Sequence, residues 1–221
     1  MRDEKKASIG MKLVRMIPLV LVVVLATIVV VRSGPAAITA YIQSYRDNVA
    51  LTLTVIMALF LFKSVSFGLP YTVLYLAVGH LFPLPVAMLV NVVGIAVNMQ
   101  IPYFVGRYGH FSFIERAIHK APFVQRYSER EEKNPLVFSF FVKFIGIVPH
   151  EITNLLLGTL KIPYFRYLAG GILGLLPGMI ATTVAGCYMT DPRSLQFILA
   201  VIAFFAVLFF SYYLSRRMKK S

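Results

Sequence analysis

The sequence predicts an all-α integral membrane protein: an inverted repeat of two re-entrant helical hairpins, each followed by a transmembrane helix, with an additional transmembrane helix at either end. Three observations predict it. The first is composition. Of 221 residues, 58% are hydrophobic and only 14% charged, and the mean hydropathy is +0.77, which is too apolar for a soluble domain of this size. The second is a pair of apolar runs, each broken near its middle by lysine, glycine and proline. The third is the placement of basic residues, which fixes how many segments cross.

The second broken run is the more telling. Phe140 to Asn154 carries Lys143, His150 and Glu151 inside an apolar stretch interrupted by Gly146 and Pro149. Leu136 to Ile145 makes one arm and Pro149 to Gly158 another, each about 15 Å long at 1.5 Å per residue, or roughly half a hydrocarbon core. Proline suits the first turn of a helix, so Pro149 is expected to open the second arm with its free N–H groups turned toward the bilayer midplane.

The first run follows the same plan. Val49 to Phe62 is apolar up to Lys63, then come Gly68, Leu69 and Pro70, and apolar character resumes from Tyr71 to Gly79. Pro70 lies nine residues before Gly79, as Pro149 lies nine before Gly158, and Lys63 and Lys143 precede those prolines by seven and six. A long helix follows in each unit, with Gly94 or Gly174 placed 15 or 16 residues after the preceding glycine. This is an internal repeat over about 55 residues. Its long helices, 84–105 and 164–186, are each long enough to span. Asn91, Asn98 and Gln100 in the first of them fit interhelical hydrogen bonds as well as a cavity lining.

At the N-terminus, residues 1–12 carry Arg2, Lys5, Lys6 and Lys12, and 13–31 is an apolar run with the single charge Arg15. It is expected to be the first spanning helix rather than a cleaved signal, since its core is long and no small-x-small site follows. The polar loop 106–134 alternates Arg107, Arg116, Lys120, Arg126, Arg130 and Lys133 with glutamates, and Phe111, Ile114 and Ile118 recur at helical spacing, as in interfacial amphipathic helices. Residues 195–214 form a last uncharged span before the basic tail. The expected organisation is therefore 1–48 (basic N-terminus, first span and loop), 49–186 (the repeat, with hairpins 49–80 and 136–160) and 187–221 (last span and tail).

Crossings at 13–31, 84–105, 164–186 and 195–214 put both termini in the cytoplasm together with the 106–134 loop, leaving Arg32, Arg46 and Arg193 outside, as the positive-inside rule requires. The first hairpin then enters from outside and the second from inside. That is the plan of transporters that bind at the midplane. The net charge of +13 is accounted for by these topology determinants facing anionic lipid, and no nucleic-acid partner is expected.

Further along, Tyr103, Gly106, Arg107 and Gly109, then Lys143-Phe144, Val148-Pro149, Asn154, Gly158, Gly170, Gly174 and Pro177-Gly178 resemble the motif series of the DedA superfamily, also called the SNARE-associated or VTT domain. The resemblance spans roughly residues 63–186. It implies a cell-membrane, multi-pass protein with lipid flippase or scramblase activity. Lys143 stands where DedA proteins usually carry arginine, His150-Glu151 follows the proline in place of a second arginine-bearing segment, and the first hairpin lacks the acids of DedA itself. The chain is thus more similar to the TVP-type VTT branch, and the family's usual proton-carrying acids do not transfer.

The expected substrate-binding residues are Lys63, Pro70, Lys143, Pro149, Asn154 and Arg107, forming a midplane receptor for a lipid phosphate: helix N-termini favour anions, and a buried lysine calls for a counter-charge. Glu151 is the sole acid in an apolar stretch and is read either as a proton carrier or as the ion-pair partner of Lys143 or another cation; His150 is either its relay or a satisfied polar neighbour. Arg107 is alternatively an interfacial anchor. The partners expected are membrane lipids with phosphate head groups, such as a phospholipid or undecaprenyl phosphate, together with protons, and a homo-oligomer is left open. Two other functions remain open, a proton-coupled carrier of small ions and a non-catalytic scaffold. An enzyme is not expected: no nucleotide loop or nucleophile elbow appears, Cys187 is the only cysteine, and His80, His110, His119 and His150 lack ligand spacing, so no metal or other cofactor is expected.

Overall fold

A computed structural model describes residues 48–66, 69–109, 134–146 and 148–220, with the side chains of 217–220 excepted. The predicted first span (13–31), most of the 106–134 loop and Gly68 lie outside the described residues. Seven helices follow one another, and no strand occurs among the described residues: α1 (Val49–Lys63), α2 (Tyr71–Leu81), α3 (Leu84–Tyr108), α4 (Pro135–Ile145), α5 (His150–Thr159), α6 (Tyr164–Cys187) and α7 (Leu195–Lys220). Three of them, α3, α6 and α7, are long and apolar enough to cross a membrane. The other four are short, from about 15 Å for α5 to about 22 Å for α1 at 1.5 Å per residue, against a hydrocarbon core of roughly 30 Å.

Local chemistry sets the breaks. Asn48 and Asn134 cap α1 and α4 by accepting from Leu51 N and Val137 N, which satisfies first-turn donors. α4 stops at Gly146, whose φ of 59° and ψ of 25° are left-handed and easily adopted without a Cβ. Pro70 and Pro149 stand just outside their helices, rather than in the first turn expected of Pro149. Both are N-caps, with ψ near 140° and no side-chain hydrogen bond, because the proline ring fixes φ while ψ stays free to turn the chain into the helix.

Glycines set the closest crossings, and these exchange partners between the two units. A Cβ on Gly79 (α2) would strike Thr183 O on α6, and one on Gly158 (α5) would strike Tyr103 O on α3. In the reverse direction, Gly186 lies against Leu76 O and Gly106 against Leu155 O. Gly94 faces the Phe60 ring, while Gly174 has Phe140 O at 2.6 Å from its Cβ position. Corresponding residues in these pairs are 79 or 80 positions apart in the chain. Each second short helix thus packs on the long helix of the other unit, α2 on α6 and α5 on α3, whereas α1 packs on α3 and α4 on α6.

The amides of α3 serve this packing. Asn91 Nδ2 donates to Thr183 Oγ1 at 2.8 Å, Asn98 Nδ2 to Phe60 O at 2.9 Å, and Gln100 Oε1 accepts from Tyr164 Oη at 2.8 Å. α7 stands at the edge. Most of its large apolar side chains are exposed, and among its described side chains only Ala200 and Ser211 are buried.

Candidate functional site

α4 and α5 meet α1 and α2 at their broken ends, and there the predicted charges collect. Lys63, the last residue of α1, is 4% exposed, Lys143 in the last turn of α4 is 1% exposed, and Glu151 in the first turn of α5 is 5% exposed. Lys63 Nζ is paired with Glu151 Oε1 and lies 4.4 Å from the centre of the Tyr71 ring. The partner of Glu151 is therefore Lys63, 88 residues away, and not Lys143, eight residues away in sequence. The carboxylate also sits in the first turn of α5, where the helix field favours a negative charge. The N-terminus expected to wait for a substrate anion is thus already occupied by one of the protein's own.

Lys143 is held differently. Its ammonium donates to His150 O at 3.0 Å, to Thr153 Oγ1 at 2.8 Å and to Asn154 Oδ1. An ammonium has three N–H groups, so all three are spent on neutral oxygens. Asn154 Oδ1 is in turn fixed by Tyr167 Oη at 2.9 Å. The formal sum of Lys63, Glu151 and Lys143 is one positive charge, carried by a lysine whose hydrogen-bond partners are all uncharged.

Beside Lys143 lies a cavity of about 240 Å³, walled by His150, Tyr71, Tyr75, Thr182 and Gly178 and, from α7, by Phe204, Val207, Leu208 and Ser211. Ser211 Oγ closes its edge by sharing its hydrogen between Phe144 O at 3.0 Å and Ile145 O at 2.9 Å, the carbonyls that α4 leaves unpaired where it breaks. Two polar atoms of the cavity's lining residues, Tyr75 Oη and His150 Nδ1, have no hydrogen-bond partner.

Of the predicted site residues, Lys63, Lys143, Glu151, His150 and Asn154 come together. Pro70 and Pro149 start the short helices and do not line the cavity. Arg107 stands apart. Its Nη1 donates to Tyr103 Oη at 2.8 Å and reaches Ile162 O at 3.3 Å and Lys161 O at 3.4 Å, so it clamps the end of α5 to α3. Sequence reasoning missed Tyr71, Tyr75 and Thr182. The two tyrosines, one helical turn apart immediately after Pro70, offered a signal as a polar-tipped face on an otherwise apolar segment.

A family model described as the VTT domain matches residues 69–188, more than half of the chain. The chain belongs to the VTT-domain family. No curated protein and no solved structure matches it. The VTT match begins just before Pro70 and ends just after Cys187, so it takes in every residue around the cavity except those contributed by α7, and it leaves out Lys63. Membership and the three long apolar helices together make this a membrane protein.

Proposed function

We propose that this VTT-domain protein is a membrane transporter that moves a phosphate-bearing lipid between leaflets, with the cavity beside Lys143 as the midway station of the head group. The reading rests on Lys143: a buried cation hydrogen-bonded only to neutral oxygens draws an anion to the space next to it. A lipid is favoured over a small ion by the α7 side of the cavity, where Phe204, Val207 and Leu208 of the edge helix offer apolar surface at the point where a hydrocarbon chain would leave. A cavity of about 240 Å³ holds a head group and leaves the chains outside.

In this reading the short helices are two re-entrant hairpins, 49–80 and 136–160, and the exchanged glycine crossings reflect an inverted repeat in the cell membrane. The topology has its own check. In a Cys187→Ser background, cysteines at Arg46 and Arg193 are expected to react with an impermeant thiol reagent from outside intact cells and one at Arg130 is not; external labelling at 130 would overturn the orientation.

The function is tested by reconstitution into liposomes with fluorescent phospholipid, following transbilayer movement with and without a proton gradient. Gly178 supplies the control. A Cβ there meets nothing within 4 Å, so a side chain at 178 starts in open space; Gly178→Leu is expected to fill the cavity, and it replaces a helical glycine by a much better helix former. The variant is expected to keep or raise its thermal midpoint while lipid movement drops to the rate of protein-free vesicles. Wild-type protein that moves lipid no faster than empty vesicles defeats the reading.

A further inference from the structure

Tyr71 and Tyr75 stack on each other, rings 5.5 Å apart and nearly parallel, yet their hydroxyls fare differently. Tyr71 Oη donates to Asn98 Oδ1. Tyr75 Oη has no partner although the residue is 4% exposed. A buried hydroxyl left without a hydrogen bond destabilises the fold, and phenylalanine at this position would have the same shape without that cost. Tyr75 is one of the residues that wall the cavity, and so is His150, whose Nδ1 is likewise unpartnered; the other two unpartnered side-chain atoms among the described residues, Asn91 Oδ1 and Asn154 Nδ2, belong to residues that do not line it. The neighbouring ammonium, by contrast, has no N–H left to give.

We infer that Tyr75 and His150, and neither lysine, are the direct hydrogen-bond contacts of the head group. The ligand chemistry is a phosphate oxyanion: Tyr75 O–H donates to one oxygen, His150 in its Nδ1–H tautomer donates to a second, and Lys143, which also lines the cavity but has its three N–H groups taken, attracts the anion by its charge. This rests on the transporter reading and adds to it which atoms recognise the substrate. It also divides two jobs that the sequence assigns together to the lysines and the helix N-termini. Charge selects an anion, and the hydroxyl and imidazole fix where it stops.

Tyr75→Phe tests this. The protein in detergent is titrated with short-chain dihexanoyl-phosphatidylglycerol, following the thermal midpoint, and the same variant is assayed in liposomes. Without ligand, Tyr75→Phe is expected to melt at or above the wild-type temperature, since it loses only an unsatisfied hydroxyl. Its apparent affinity for the lipid is expected to fall about tenfold, as for the loss of one hydrogen bond to a ligand, and lipid movement is expected to slow with it. Wild-type affinity and rate in Tyr75→Phe would overturn the inference, leaving Tyr75 Oη as a group served by water alone, while the transporter reading stands on the wild-type rate. Loss of ligand-free stability in step with activity would equally overturn it, because the hydroxyl would then be structural. If the wild type neither binds nor moves lipid, both fall together.

Discussion

Glu151→Gln is expected to destabilise the protein by about 3–5 kcal/mol, the range for removing one partner of a buried ion pair. The substitution keeps size and shape, so the loss comes from charge. It strands Lys63 inside the bundle with only the face of Tyr71 at 4.4 Å to offset desolvation, and a cation over an aromatic ring recovers only a fraction of a carboxylate's worth. Lys63→Met is expected to cost less, because the carboxylate it leaves behind still sits in the first turn of α5, where the helix field supports it. The double variant Lys63→Met with Glu151→Gln is expected to recover most of the loss. Thermal midpoints in detergent check all three, and a Glu151→Gln protein as stable as wild type would exclude a structural pair. The same variant separates the proton-carrier alternative: a pH profile of lipid movement unchanged by Glu151→Gln leaves the pair as the residue's role.

The largest effect on activity is expected from Lys143→Met, which should cut lipid movement at least a hundredfold with the fold intact. Its three acceptors are not stranded by the change. Thr153 Oγ1 still donates to His150 O at 2.9 Å, and Asn154 Oδ1 still accepts from Tyr167 Oη at 2.9 Å. Methionine fills a similar volume with no charge to desolvate, so the thermal midpoint is expected to hold or rise. A charge kept where an apolar side chain would be more stable is a charge kept for its ligand. Retention of more than half the wild-type rate in Lys143→Met would remove the anion site from the mechanism.

The helices were legible because their signals are local. Apolar runs, Gly146, and the Pro70 and Pro149 breaks sit within a few residues of the ends they define, and the seven described helices begin and end close to where the runs do. The membership of the charge cluster was legible too, since lysines and an acid inside apolar stretches have few places to go. Its wiring was not. Lys143 and Glu151 are close in sequence, but the left-handed turn at Gly146 brings the Lys143 ammonium onto His150 O and the side chains of Thr153 and Asn154, and the carboxylate faces α1 instead. No pattern within either segment encodes that choice, because it depends on how far two distant helix ends approach. The two tyrosines show in the sequence as a polar-tipped face, but that the Tyr75 hydroxyl is left unsatisfied was illegible for the same reason. Nothing beside Tyr75 in the sequence tells whether its hydroxyl finds a partner, and the position of Asn98 satisfies the hydroxyl of Tyr71 and not that of Tyr75.

The exchanged glycine crossings bear on how the chain is made. Gly79 has its closest contact with Thr183, 104 residues further on, which at about 5–20 residues per second is a wait on the order of 5–20 s during synthesis. In that interval α2, at 11 residues about 16 Å long, is too short to hold a transmembrane position by itself and has its glycine edge bare. α5 fares otherwise, since its partner α3 has already left the ribosome when it emerges. The two short helices, alike in the finished protein, therefore have unlike histories: one docks as it is born, and the other must be sheltered until α6 arrives.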